Sequence, residues 1–115
     1  MKLYRTKESA PPKGAKCAKL VTSDGVGLRY AIWRSPADTH KGTICLLHGR
    51  IEFIEKYYEV VSELLSRGFS VATLDWRGQG GSDRLIDEPL RCHVENFDEY
   101  LTDLKSFMED IVLPE

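Results

Sequence analysis

Two clusters of polar residues stand where apolar runs stop. His48-Gly49-Arg50 follows the run at 43–47, and Asp75-Trp76-Arg77-Gly78-Gln79-Gly80-Gly81-Ser82-Asp83 follows the run at 69–74. The glycines of the second cluster invite a phosphate-loop or dinucleotide reading, because backbone N–H groups of such loops cradle phosphate. The spacing fails that test. A G-x-G-x-x-G counted from Gly78 needs glycine at 83, where aspartate stands, and no glycine is followed by Lys-Ser or Lys-Thr. Asp75 at the end of the run would also repel phosphate. A nucleophile elbow is G-x-S-x-G on a strand-to-helix turn. Around Ser82 the residues are Gly80-Gly81-Ser82-Asp83-Arg84, without the final glycine, and no other serine has the pattern. Cys45, His48, Cys92 and His93 are of the types that bind zinc. Cys45 lies inside an apolar strand while His48 lies beyond its end, so a core thiol beside unrelated loop residues is expected and no metal is assigned. Glu52 and Glu55 form a carboxylate pair at the start of a helix, where the simpler expectation is that they complement its dipole.

These clusters need elements to hold them. Thr43 to Leu47 is apolar without alternation, which predicts a strand buried on both faces of a parallel sheet. The run at 69–74 is a second such strand. Between them Ile54, Tyr57, Tyr58, Val61, Leu64 and Leu65 recur at helical spacing. Gly68 follows Arg67 where a helix C-terminus favours a left-handed residue and a nearby cation. The unit is therefore strand–helix–strand, with both polar clusters at the carboxyl ends of the strands, where ligands of such sheets gather. Upstream, 16–22 reads as a strand, Asp24-Gly25 as a turn, and Leu28, Tyr30 and Ile32 alternate with Arg29, Ala31 and Trp33 as a second, antiparallel strand. Downstream, 77–94 is a loop with Pro89. Asn96 and Glu99 read as a capping pair for a helix at 97–112, whose stripe is Phe97, Tyr100, Leu101, Leu104, Phe107, Met108, Ile111 and Val112.

Length and composition exclude several classes. At 115 residues, 42% hydrophobic and 30% charged, the chain is at most one ordinary globular domain. The boundaries predicted are a flexible basic lead-in at 1–15 and the folded portion at 16–115. A net charge of −2 implies no general affinity for nucleic acid. Lys2, Arg5, Lys7, Lys13, Lys16 and Lys19 face Glu8 alone in residues 1–20. Their spread, with no apolar face beside them, fits a solvated tail better than an arm for anionic lipid headgroups. No apolar run is long enough for a membrane span or a signal peptide, so the expected location is cytoplasmic, with peripheral contact at a membrane left open. Cys17, Cys45 and Cys92 are odd in number and far apart, which predicts reduced thiols.

His48-Gly49-Arg50-Ile51-Glu52 resembles the HG-x-x-E segment of α/β-hydrolases of the monoacylglycerol lipase and lysophospholipase branch, a serine aminopeptidase S33-like group. Asp75-Trp76-Arg77-Gly78-Gln79-Gly80-Gly81-Ser82 resembles that branch's D-x-R-G-x-G-x-S segment. With Glu52-Phe53-Ile54-Glu55-Lys56-Tyr57, the chain is most similar to bacterial lysophospholipases of the L2 type, from about Cys17 onward. Cys92 stands where that group tends to have glycine before His-Val. The resemblance implies an incomplete α/β-hydrolase fold: a strand hairpin, then two parallel strands with two crossover-type helices. It implies a serine hydrolase acting on lysophospholipids or monoacylglycerols through an acyl-serine intermediate, without cofactor. The backbone N–H of Arg50 is implied as one oxyanion-hole donor, in a loop with His48 and Gly49. Asp75, Arg77, Gly78, Gly80 and Ser82 are implied as a structural turn beneath the site, with Asp75 and Arg77 holding it by ionic hydrogen bonds.

The chain order of the triad in this fold is Ser, Asp or Glu, then His, and all three are expected beyond the residues at hand. The expectation is therefore that the chain alone does not turn over ester. An alternative is a non-catalytic interaction module or a degenerate remnant. Without a fifth strand beside it, Thr43 to Leu47 is expected to present an open apolar edge that favours self-association and leaves the fold marginal.

Overall fold

The computed structural model describes residues 2–6, 9–35, 41–49, 52–83 and 98–113. β1 (Lys16–Val21) and β2 (Gly27–Trp33) form an antiparallel hairpin, with Lys16 opposite Ile32 and Val21 opposite Gly27. Its turn is closed by Thr22, whose Oγ1 accepts the Val26 N–H at 3.1 Å and donates to the Asp24 carboxylate. β2 then pairs antiparallel with β4 (Ser70–Leu74), and β4 pairs parallel with β3 (Thr43–Leu47), giving the order β1-β2-β4-β3.

A parallel pair needs a crossover. Here it is a 3₁₀ turn (Ile54–Tyr57) running into α1 (Tyr58–Ser66). The helix ends as predicted on Gly68, at φ 93°. The Gly68 N–H bonds Leu65 O at 3.0 Å and the Phe69 N–H bonds Leu64 O at 3.1 Å, a Schellman pairing that satisfies the last carbonyls. The second helix, α2, spans Asp98–Phe107 and continues as a π turn over Met108–Val112. The expected N-cap Asn96 and the expected first helical residue Phe97 lie outside the described residues.

The two sheet faces bury different sets. Leu28, Tyr30, Ile32, Ala72 and Leu74 pack with Phe107, Ile111 and Val112 from the α2 side. Ala31, Trp33 and Val71 pack with Ile54, Tyr58, Val61 and Leu64 from the α1 side. The result is a three-layer sandwich of helix, sheet and helix.

Three expectations change. β2 alternates in face but not in exposure: all seven residues are buried, because both faces are covered. β3 is not buried on both faces. Among the described residues it pairs with β4 alone, so Ile44, Cys45 and Leu46 are half-buried and Leu47 is 40% exposed. The α2 stripe is narrower than its sequence suggests, since Leu101 is exposed while Asp103 is wholly buried. No helix among the described residues is long and apolar enough to cross a membrane.

Phe107 is fully buried and joins α2 to Tyr30, with ring centroids 6.3 Å apart. Phe107→Ala is expected to cost about 3–5 kcal/mol in urea unfolding. Leu101→Ala, on the exposed side of the same helix, is expected to change stability by less than about 0.5 kcal/mol.

Candidate functional site

The carboxyl ends of β3 and β4 lie side by side and are tied together by Trp76, whose Nε1 donates to His48 O at 2.9 Å. Beneath them sits Asp75, the first residue past β4, which is fully buried. Its Oδ1 accepts the Ile54 N–H at 2.9 Å, at the start of the crossover. Its Oδ2 accepts Arg29 Nε at 2.6 Å and the Gly81 N–H at 2.9 Å. Burial alone would raise this carboxyl, but His48, Arg29 and the Gly81 N–H together hold it below the ordinary range. Gly80, at φ 52°, lies so close that a Cβ there would collide with the Asp75 carboxylate.

Arg29, projecting from β2 toward α1, reaches past Asp75. Its Nη1 and Nη2 each donate to a Glu55 oxygen at 2.6 Å, and Nη1 also reaches Lys2 O at 3.0 Å. Glu55 further accepts the Tyr4 N–H at 3.0 Å, and the Tyr58 hydroxyl donates to Tyr4 O at 2.5 Å. The described part of the lead-in thus forms no helix or strand but is bound through Lys2 and Tyr4 on the α1 side. The Arg29 strand position gave one usable signal. Its face-mates Ala31 and Trp33 are apolar, so that face was never a solvent face.

Arg77 organises the opposite side. Its Nε lies 3.0 and 3.1 Å from the two Asp103 oxygens, Nη2 lies 2.6 Å from Asp103 Oδ1, and Nη1 reaches Asp24 at 2.9 Å and Glu99 at 2.5 Å. One guanidinium therefore joins the β1–β2 turn to α2. Bonding to Arg77 and Thr22 holds Asp24 below the usual carboxylate range, whereas burial pushes Asp103 up despite Arg77. Asp75 and Arg77 both make ionic hydrogen bonds, each with its own partners rather than with one another. Gly78, at φ 76°, bonds Asp83 O at 2.8 Å. Ser82 is buried, with its Oγ donating to Asp75 O at 2.5 Å and accepting the Arg29 N–H at 2.8 Å. A hydroxyl so enclosed and doubly engaged is not presented to a substrate.

The loop after β3 is held by Glu52. Its Oε1 accepts the Gly49 N–H at 2.6 Å and the Tyr57 hydroxyl at 2.7 Å, while Lys56 Nζ lies 3.3 Å from Oε2. The Tyr57 and Gly49 donors hold the Glu52 carboxyl low. A Cβ on Gly49 would stand 2.7 Å from Glu52 Oε1, so only glycine fits that turn without displacing the carboxylate. These contacts replace the helix-dipole expectation. Glu52 clamps a loop and Glu55 anchors Arg29, because both project back toward the strand ends. Likewise Glu99 engages Arg77. His48 is buried, with Nδ1 2.7 Å from Gly49 O and Nε2 3.3 Å from Asp75 Oδ1. The Asp75 approach falls outside hydrogen-bonding geometry and leaves Nε2 without a bond. Arg50, with Cys92 and His93, lies outside the described residues. Among those described, no cluster of three or more His, Cys, Asp or Glu is placed to hold a metal.

A family model described as serine aminopeptidase, S33, matches residues 38–115. Lysophospholipase L2 of Escherichia coli (strain K12) is 36% identical over 97 residues, covering 84% of this chain and 28% of that protein. Monoacylglycerol lipase of Mycolicibacterium smegmatis is 29% identical over 84 residues, covering 73% of this chain and 28% of that protein. Among solved structures, an α/β hydrolase from Novosphingobium aromaticivorans superposes with a TM-score of 0.62 at 20% identity, covering 84% of this chain and 31% of that one. The architecture is an incomplete α/β-hydrolase fold, and the chain spans about 28% of the length of these curated relatives.

The carboxyl shifts predict an acid limb in stability. Asp75 and Asp24 are depressed in the folded chain, so their stabilisation is present above the unfolded carboxylate value of about 3.9 and is lost as pH falls through the folded values. Asp103 is raised, so its contribution runs the other way: its burial cost is relieved as pH falls through its raised folded value. Asp75→Asn is expected to cost about 3 kcal/mol near neutral pH, the low end for a broken buried pair because the amide oxygen still accepts one bond. The gap to the parent should narrow as pH falls below the unfolded carboxylate value of about 3.9 and on through the lower folded value, in urea titrations run across that range.

Proposed function

Because the chain belongs to the serine aminopeptidase S33 family, we propose that residues 43–83 form the oxyanion-loop side of a serine ester hydrolase. The substrates are acyl esters of the lysophospholipid or monoacylglycerol type, cleaved through an acyl-serine intermediate. The observation that carries the reading is the Glu52 clamp on Gly49 at the carboxyl end of β3. Acyl transfer passes through a tetrahedral oxyanion that needs fixed N–H donors aimed at it. A carboxylate holding the Gly49 amide makes the turn rigid and spends that N–H, so the donor role passes to the next amide, that of Arg50. Asp75, Arg77, Gly78, Gly80 and Ser82 are the support under the loop: they touch no substrate and position the residues that do. The relatives named for lysophospholipids and monoacylglycerols supply the substrate class.

The 115 residues contain no G-x-S-x-G, so the nucleophile of this mechanism is not among them. The purified chain is expected to hydrolyse p-nitrophenyl esters no faster than a boiled control. The proposal itself is tested by grafting the chain in place of the matching segment of Escherichia coli lysophospholipase L2. The graft is expected to release fatty acid from lysophosphatidylcholine. In it, Glu52→Gln is expected to lower kcat at least about tenfold with little change in KM, since a loosened oxyanion loop weakens transition-state binding. A folded graft without turnover would overturn the assignment.

One observation favours a second reading, an interaction module. β3 carries no charge, proline or bulge of the kind that protects an edge strand, and Leu47 on it is exposed. Sedimentation velocity is expected to show concentration-dependent self-association that Leu47→Lys reduces. A concentration-independent monomer would remove this reading.

A further inference from the structure

We propose that two copies of this chain pair through β3, antiparallel and centred on Cys45, to make one continuous sheet. This rests on the self-association reading above and adds the register and symmetry of the contact.

The backbone sets the register. The Ser70 N–H donates to Gly42 O at 2.9 Å and the Thr73 hydroxyl donates to Leu46 O at 2.7 Å, so both carbonyls point toward β4. Successive residues of a strand turn their N–H and C=O to opposite edges. Ile44 therefore also faces β4. Thr43, Cys45 and Leu47 turn both groups to the other edge, where no strand among the described residues pairs with them. These three residues are evenly spaced about Cys45. Lay a second β3 against the first with Cys45 opposite Cys45, and Thr43 of each copy falls opposite Leu47 of the other. All of these are hydrogen-bonded pairs, in which every outward N–H meets an outward C=O. A slip of one residue would set outward groups against groups committed to β4. A slip of two would move Thr43 or Leu47 of each copy past the end of the other strand.

The side chains fit the same dyad. Cys45 packs toward the α2-side core and Leu46 toward the α1-side core. Alternation puts Ile44 on the face of Leu46, and the register sets the two opposite one another. A dyad normal to the sheet keeps each helix layer on its own side, so apolar side chains meet apolar ones across both faces. β3 carries no charge, so no like charges are opposed along it. Beyond the strand, the exposed Lys41 of each copy falls opposite Gly49 of the other, whose N–H is bound by the Glu52 carboxylate at 2.6 Å. Unlike charges therefore meet at both ends. The pairing doubles the sheet β1-β2-β4-β3 within the size of ordinary open sheets. It also uses up the β3 edge of both copies, so association closes at the dimer.

The test is cysteine cross-linking of the full chain with copper–phenanthroline as oxidant, read on non-reducing gels beside sedimentation velocity. A hydrogen-bonded antiparallel pair sets its Cα atoms about 5.5 Å apart, within the roughly 4.4–6.8 Å that a disulfide spans. The chain has three cysteines, so Cys17→Ala with Cys92→Ala leaves Cys45 as the one thiol. That chain is expected to give a covalent dimer, and adding Cys45→Ala is expected to abolish it. The register is read in the background carrying all three alanine changes. Thr43→Cys mixed with Leu47→Cys is expected to cross-link. Neither is expected to do so alone, because the two copies of either position stand four residues apart along the strands, about 13 Å. Association without a Cys45 dimer would overturn the inference and leave the self-association reading standing. So would Thr43→Cys alone cross-linking as readily as the mixture. A concentration-independent monomer would remove both.

Discussion

The site depends on a buried ion pair, Arg29 with Asp75. Taking both charges out of water is costly, and their attraction offsets that cost only when the remaining hydrogen-bonding capacity is used. Here it is used. Asp75 accepts from Arg29, from the Ile54 amide that opens the crossover and from the Gly81 amide of the following turn. Arg29 spends its other donors on Glu55 and the Lys2 carbonyl. One carboxylate thus fixes where β2, the crossover and the glycine turn meet, and one guanidinium extends that junction to the lead-in. With both partners' bonding capacity taken up, the pair fixes the geometry beneath the loop that follows β3.

Arg77 does the equivalent work on the α2 side, with a different charge balance. Three carboxylates from two separate elements converge on one guanidinium. Burial, with a small addition from the nearby Asp24 charge, is why Asp103 is pushed up despite Arg77, while hydrogen bonds from Arg77 and Thr22 hold the more exposed Asp24 down. The two arginines emerge on opposite sides of the strand ends, so each helix layer is tied by polar bonds to the same few residues. The turn between Asp75 and Asp83 is the common part, and this explains why it needs Gly80, where no side chain fits, and a buried Ser82 that bonds backbone on β2 and at the residue just past β4.

Above this support, the loop after β3 is shaped by Glu52 and His48 acting on the two sides of Gly49. Glu52 takes its N–H, and the His48 ring contacts its oxygen. A glycine pinned at both groups presents a fixed backbone without a side chain in the way.

Much of this was legible in the chain. The strand–helix–strand order, the hairpin, the helix stop at Gly68 and the placing of both polar clusters at strand ends follow from apolar periodicity and turn chemistry, which are local properties. The family is legible too, because its two motifs are short and contiguous. What the sequence could not decide was the pairing of charges. Arg29 stood in an alternating strand, Asp103 in a helical stripe, and Glu55 at a helix start. The apolar face-mates of Arg29 pointed to a covered face, but nothing local names a partner that lies 26 or 46 residues away. The apolar run at 43–47 reports only that a strand suits burial and not which neighbours cover it; the open edge there was expected from the strand order that the resemblance implies, not from the run itself. By itself the sequence determined the elements and the family. Only the tertiary structure decided which charges meet, since that depends on how the layers stack.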